Sequence, residues 1–150
     1  MDFKLTEEQN MLREMCRSFA EKDIMPKADT WNKTGEFPLE IFKKMAELDL
    51  MGLLITEEYG GSNVGTVAFV AAMEEISRGD QSVAATWNAH LSIGYVGFLL
   101  FGTEEQKKKY LIPLAKGEAL GAFGLTEANA GSDARGIKTK AVLDGNEWVI

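Results

Sequence analysis

Only one of the 150 residues is cysteine, so no internal disulfide can form. Cys16 falls on an apolar helix face, which points to a buried thiol in a reducing compartment. Histidine is equally scarce. His90 and Cys16 together cannot supply a metal site, so no metal is expected. Basic residues are outnumbered, 16 against 23 acidic ones, and the net charge of −7 argues against a nucleic-acid partner. Backbone amides can still bind an anion locally, whatever the total charge. The N-terminus, Met1 to Glu8, has neither the apolar core of a secretory signal nor the arginines of a transit peptide. The cytoplasm is the expected compartment. No internal repeat or low-complexity tract is present. One run, Gln81 to Phe101, carries no charged residue and is nearly long enough to span a bilayer. Thr86, Asn88, His90 and Ser92 interrupt its first half and no basic cluster flanks it, so it reads as the centre of a helical bundle, with no membrane span.

What is present is an ordinary globular mixture, 45% hydrophobic and 26% charged, long enough for one domain with a sizeable core. A first helix opens at Thr6 with Gln9 three residues on, the pattern of a capping box. Met11, Leu12, Met15, Cys16 and Phe19 share one face, and Pro26 is expected to end or kink the helix. A second helix starts at Pro38 with Ile41, Phe42, Met45 and Leu48 as its buried stripe. Ile55 to Ser62 reads as a loop with a tight turn. The third helix covers about Thr66 to Arg78, with Val67, Val70, Met73 and Ile76 inward. The fourth is the long apolar run to Phe101, closed by Gly102. Thr103 and Gln106 cap a fifth, which Pro113 is expected to break. Its Glu104 and Glu105 precede Lys108 and Lys109 by four residues, a favourable orientation.

After Lys116-Gly117-Glu118 the period changes. Leu120 to Leu125 reads as a strand, and Ile137, Thr139, Ala141 and Leu143 alternate with Lys138 and Lys140. Asp144-Gly145-Asn146 is a turn signal, and Glu147 to Ile150 begins a further strand. The expected fold is therefore mainly α: a bundle of about five helices over residues 1–118, then the first strands of a β-domain over 119–150.

Between those strands lies Phe123-Gly124-Leu125-Thr126-Glu127-Ala128-Asn129-Ala130-Gly131-Ser132-Asp133-Ala134-Arg135-Gly136. Gly131 lets successive amides converge on an oxyanion without a Cβ in the way, and Ser132 adds a donor. The plainer alternative is a β-turn loop whose Ser and Asp satisfy their own backbone. Gly124-Leu125-Thr126-Glu127, Ala130-Gly131-Ser132-Asp133 and Gly136 resemble the first signature of the acyl-CoA dehydrogenases, with Ala128 where that family usually carries Pro. The likeness extends along the chain, through Tyr59-Gly60-Gly61, Gly102 to Leu111, Ile137 to Ala141 and Asp144 to Ile150.

The resemblance implies a helical domain leading into a β-barrel-like middle domain, FAD as cofactor, and desaturation of acyl-CoA thioesters with hydride transfer to flavin N5. It also implies an electron-transfer flavoprotein as partner and a homo-oligomer at full length. By the same resemblance Phe123, Leu125, Thr126, Gly131 and Ser132 would line the flavin and its pyrophosphate, with Ser132 also reaching substrate. Leu91, Tyr95 and Phe98 could wall the acyl-tail pocket; plain core packing is the alternative reading for them. The catalytic base is expected beyond residue 150, so the chain is read as a truncated dehydrogenase, inactive alone. Glu127 is expected to anchor the loop through backbone hydrogen bonds, and Asp133 to hold its turn. A lone histidine such as His90 is expected to be a satisfied core or pocket residue. Lys107 to Lys109 read as a solvated helix face. Two further readings stay open at this stage: a non-catalytic helical interaction module, and an anion- or nucleotide-binding domain without redox chemistry.

Overall fold

The computed structural model describes residues 4–150. The first rod begins with α1, Glu7–Phe19, whose free N-terminal amides are met by the expected capping box: Gln9 N donates to Thr6 Oγ1 at 3.2 Å and Thr6 N to Gln9 Oε1 at 3.0 Å. The rod does not stop at Pro26. A π-helical turn, Ala20–Ile24, joins α1 to α2, Met25–Thr34, and Pro26 falls in the first turn of α2, where a missing N–H costs least. Gly35, at φ 72°, ends α2 in the left-handed conformation that glycine adopts freely. Cys16 and Phe19 are buried as expected, whereas Met11 points to solvent.

Helix α3, Leu39–Glu47, starts one residue after Pro38 and buries Ile41, Phe42 and Met45; Leu48 lies beyond its end and is exposed. Short 3-10 turns follow at Leu50–Gly52 and Glu57–Tyr59. Helix α4, Thr66–Gly79, sits in a different phase from the one its valines predict. Ala68, Phe69, Ala71, Ala72, Glu75 and Ile76 face inward, and Val67 and Val70 face outward. Small alanines let α4 approach its neighbours α1 and the next helix closely, so the core side is set by size complementarity as much as by hydropathy.

The single long apolar helix expected up to Phe101 is two. Helix α5, Gln81–His90, is capped by Asp80, whose Oδ1 accepts from Val83 N at 2.9 Å. Helix α6, Ile93–Phe101, starts after a break in which Ser92 has φ −130° and ψ −82°. Helix α7, Glu104–Ala115, has a second capping box from Thr103 and Gln106. It runs through Pro113, which stands in its final turn and so removes one terminal hydrogen bond without breaking the rod. Among the described residues the five expected rods thus appear as seven α-helical segments.

Neither Leu120–Leu125 nor the alternating stretch from Ile137 forms a strand along its length: the former is irregular and the latter pairs only at its end. An extended segment becomes a strand only with a ladder partner, and the described residues give one hairpin: β1, Val142–Asp144, against β2, Glu147–Val149, in antiparallel register Asp144↔Glu147. Gly145, at φ 62°, takes the first turn position between them. The mainly helical fold ending in a two-stranded sheet is the one expected.

Two apolar clusters hold the rods together. The main one gathers Cys16, Phe19 and Ile24, Ile41, Phe42 and Met45, Phe69 and Ile76, and Trp87 and Leu91. Phe69 meets Trp87 edge-on, with centroids 5.2 Å apart. The second packs Ile55, Tyr59 and Tyr95 against Leu111 and Leu114 of α7. Between α1 and α4 the buried acid Glu75 is satisfied by guanidinium groups. Arg17 Nη2 donates to Oε1 at 2.6 Å, Arg17 Nε to Oε2 at 3.1 Å, and Arg78 Nε to Oε2 at 3.2 Å. Those bonds, from Arg17 above all, hold the Glu75 carboxyl below the usual carboxylate range. Among the described residues no helix is long and apolar enough to cross a membrane.

Candidate functional site

The glycine-rich loop is held by a small set of main-chain bonds. Glu127 N donates to Ala130 O at 2.8 Å and Ala130 N to Glu127 O at 3.3 Å, closing a four-residue turn over the buried Ala130. The Glu127 carboxylate reaches forward: Lys138 N donates to both oxygens, at 3.1 and 3.0 Å, and Thr139 N to Oε1 at 2.8 Å. Contacts from Thr139 first, then Lys138, lower its pKa. Glu127 is thus the anchor expected of it, spent on backbone amides. Gly136 N closes the next turn onto Asp133 O at 2.9 Å.

What the loop presents to solvent is a set of unspent donors flanked by apolar side chains. Phe123, Leu125, Thr126 and Ser132 are exposed, and Gly131 is half-exposed. Among the described residues the Thr126 and Ser132 hydroxyls have no hydrogen-bond partner. A Cβ built on Gly131 would stand 3.6 Å from the Thr126 methyl, filling the open space beside that hydroxyl. This donor set suits a phosphate and the neighbouring Phe123 and Leu125 suit a flat ring, so the residues fit a dinucleotide such as FAD.

The three helix residues offered as a substrate wall are placed differently from one another. Leu91 is sealed in the main core. Tyr95 packs in the second cluster and donates its hydroxyl to Leu54 O at 3.3 Å, with burial raising its pKa. Phe98 stacks on Tyr110, centroids 4.7 Å apart, and lines a cleft of about 320 Å³ together with Gly97, Phe101 and Phe123. The fold therefore brings Phe98 to the loop and leaves Leu91 and Tyr95 inside the helical body.

His90 is fully buried. Its Nε2 lies 3.0 Å from Met51 O and its Nδ1 accepts from Gly121 N at 2.9 Å, and burial lowers its pKa. It is a satisfied core histidine. The Cys16 thiol, pushed up to about 12 by burial and by the Glu75 charge, is inert. Among the described residues no group of three or more His, Cys, Asp or Glu side chains could hold a metal ion. In the lysine run, Lys107 pairs with Glu104 at 3.0 Å and Lys109 Nζ sits 5.2 Å from the Tyr110 ring centroid. Gly94 and Gly97 flank Tyr95 and suit a close approach to the helix; that the approaching segment is Gly121 was not legible in the sequence. A Cβ on Gly94 would lie 2.7 Å from the Gly121 carbonyl carbon, so the two backbones touch. Two glycines some two dozen residues apart carry no local sign of such a contact.

Residues 6–118 match the family described as acyl-CoA dehydrogenase, N-terminal domain. The chain belongs to the acyl-CoA dehydrogenase family. It is 52% identical over 150 residues to a probable acyl-CoA dehydrogenase of Bacillus subtilis, covering 100% of this chain and 40% of that protein. Among solved structures it superposes with TM-score 0.93 and 41% identity on a chain from a structure described as the electron transferring flavoprotein of Acidaminococcus fermentans, covering 99% of this chain and 39% of that one. An acyl-CoA dehydrogenase from Bacillus anthracis complexed with FAD superposes with TM-score 0.85 and 38% identity, over 92% of this chain and 24% of that one. The chain thus spans about 40% of the length of the curated relative. Within this acyl-CoA dehydrogenase framework, the loop from Phe123 lies just beyond the matched helical domain.

Proposed function

We propose that this chain supplies the helical domain, residues 1–118, and the flavin-facing loop, at the start of a β-domain over 119–150, of an FAD-dependent acyl-CoA dehydrogenase. The observation that carries the reading is the donor set of exposed Thr126 and Ser132 with half-exposed Gly131, braced from behind by Glu127. The FAD-complexed Bacillus anthracis relative supports FAD as the ligand. When bound, FAD supplies a hydride acceptor for desaturation of an acyl-CoA thioester.

In this reading Gly131 and Ser132 would hold and orient the pyrophosphate, while Phe123, Leu125 and Thr126 would lie at the ring, Thr126 by its backbone and hydroxyl, and exclude water. Ser132 extends toward the thioester, and the acyl tail runs along the cleft that Phe98 lines, with Leu91 and Tyr95 supporting it from inside. Glu127 is not assigned as the base, because its carboxylate is committed to amides. The electron partner is an electron-transfer flavoprotein, a reading supported by the Acidaminococcus fermentans neighbour. The working form is a homo-oligomer in the cytoplasm, the compartment in keeping with a free buried thiol.

The test is a visible absorption spectrum of the purified chain after incubation with FAD and extensive dialysis, for wild type and Ser132→Ala. Retained colour with a shifted flavin band, weakened in the variant, supports the loop as the binding element. A colourless, folded wild-type chain that takes up CoA or ADP in preference to FAD would replace the flavin reading with anion binding alone.

A further inference from the structure

The break between α5 and α6 is where the helical body grips the segment leading into the loop. Trp87 and His90, three residues apart on one face of α5, meet consecutive carbonyls of the 3-10 turn Leu50–Gly52. Trp87 Nε1 donates to Leu50 O at 3.0 Å, and His90 Nε2 lies 3.0 Å from Met51 O. The other ring nitrogen, Nδ1, is 2.9 Å from Gly121 N. A main-chain N–H only donates and a carbonyl only accepts, so the Gly121 and Met51 contacts place the lone pair on Nδ1 and the proton on Nε2, with the Leu114 backbone also close to the ring. Desolvation favours the same neutral ring. Beside it, Gly94 and Gly121 pack backbone to backbone, each leaving no room for a methyl group on the other. From Gly121 the chain runs only two residues to Phe123.

We infer that His90 is a positioning residue for the loop 123–132, acting through the N–H of Gly121. Its functional meaning rests on the flavin reading of that loop; the contact itself does not. The imidazole joins three pieces distant in sequence: α5, the turn at Met51, and the entrance to the loop. Without the Nδ1 acceptor, the Gly121 amide is left unpaired against the core, and the close glycine packing loses the bond that orients it.

The two halves of the ring can be tested apart. Asparagine places a polar atom at the reach of Nδ1, and glutamine at the reach of Nε2. Amide hydrogen exchange is read by NMR at Gly121 and across residues 123–132 in this chain, for wild type, His90→Asn and His90→Gln, with FAD binding measured in parallel by absorbance. The expected result is faster Gly121 exchange by about tenfold in His90→Gln, the scale of one part-buried donor left without its acceptor, with altered loop amides and weaker FAD binding. His90→Asn stays within about threefold of wild type on each readout. Equal effects of the two variants, or unchanged loop amides in His90→Gln, would overturn the assignment. A wild-type measurement keeps it testable if neither variant folds. Nitrogen shifts of His90 must show Nε2 protonated, with a through-bond coupling from Gly121 N to Nδ1; a proton on Nδ1 refutes it. Should wild type bind no FAD while the loop amides still separate Gln from Asn, the flavin reading fails and the positioning role stands.

Discussion

Gly94→Ala and Gly97→Ala are the same chemical change, three residues apart on α6, with opposite expected signs. In an open helical position, replacing glycine by alanine restricts the unfolded chain and stabilises by about 0.5–1 kcal/mol. Gly97 is such a position, since nothing stands within 4 Å of its would-be Cβ. At Gly94 the added carbon would sit 2.7 Å from the carbonyl carbon and 2.8 Å from the Cα of Gly121, well inside the ordinary 3.4–4 Å contact range. Backbone cannot rotate away as a flexible side chain can, so an overpacking cost of about 1–3 kcal/mol applies. Overpacking wins over propensity, and a net loss of about 1–2 kcal/mol is expected for Gly94→Ala. Urea unfolding followed by far-ultraviolet circular dichroism reads this directly. With a slope near 2 kcal/mol per molar urea, the midpoint should fall by about 0.5–1 M for Gly94→Ala and rise slightly for Gly97→Ala. A Gly94→Ala protein as stable as wild type would show that the 119–122 segment is not seated against α6 at all.

Glu75→Gln should cost about 2 kcal/mol, less than a fully enclosed ion pair because both arginines can turn to water; urea midpoints measure it. The Glu75 pKa lies below its unfolded value of 4.5, so the stability it lends is whole above that value and is lost as pH falls through the folded one. Acid titration of wild type against Glu75→Gln should show that component vanish in the variant. His90 behaves with the same sign from a higher starting point. Its folded pKa is depressed below 6.5, so stability is whole above 6.5 and declines as pH falls from there through the folded value; His90→Asn should lack this decline in urea midpoints taken across the same range. The Cys16 thiol, fully buried and pushed up to about 12, should resist iodoacetamide at pH 8 in the native chain and react only on denaturation; rapid native labelling counts against its burial.

The features legible in the sequence are those whose cause is local. Both capping boxes, Thr6 with Gln9 and Thr103 with Gln106, form at the residues read in advance, because donor and acceptor are three positions apart. The Glu127 anchor was legible by elimination of a chemical role, although its partners at Lys138 and Thr139 were not. What failed depends on partners far along the chain. No charged residue marks Leu91 and Ser92, yet the helix divides there, where His90 and Gly94 take up the 119–122 segment. The valines of α4 mark an apolar stripe but cannot say which stripe faces α1; the smaller Ala68, Ala71 and Ala72 decide it. Alternation from Ile137 to Leu143 predicts a strand, but alternation supplies no ladder partner, and only the end of that stretch pairs. Of the site, the loop and its hydroxyls were readable as a motif; which helix residues reach it was not, and of Leu91, Tyr95 and Phe98 the last alone lines the cleft beside Phe123.

The π turn at Ala20–Ile24 has a consequence for the geometry of the whole first rod. One surplus residue in a helix acts as a rotary offset of about 100°, since each α-helical residue advances the spiral by that angle. Upstream, Cys16 and Phe19 are aimed at the core; downstream, the offset turns Trp31 toward Phe42 and Val83, with which it lines a hollow of about 500 Å³. A single-residue deletion between Ala20 and Ile24 would restore an uninterrupted α-rod and at the same stroke dial Trp31 a quarter-turn away from that hollow. The segment therefore works as a phase adjuster, letting one continuous rod serve two neighbours that stand in different directions around it.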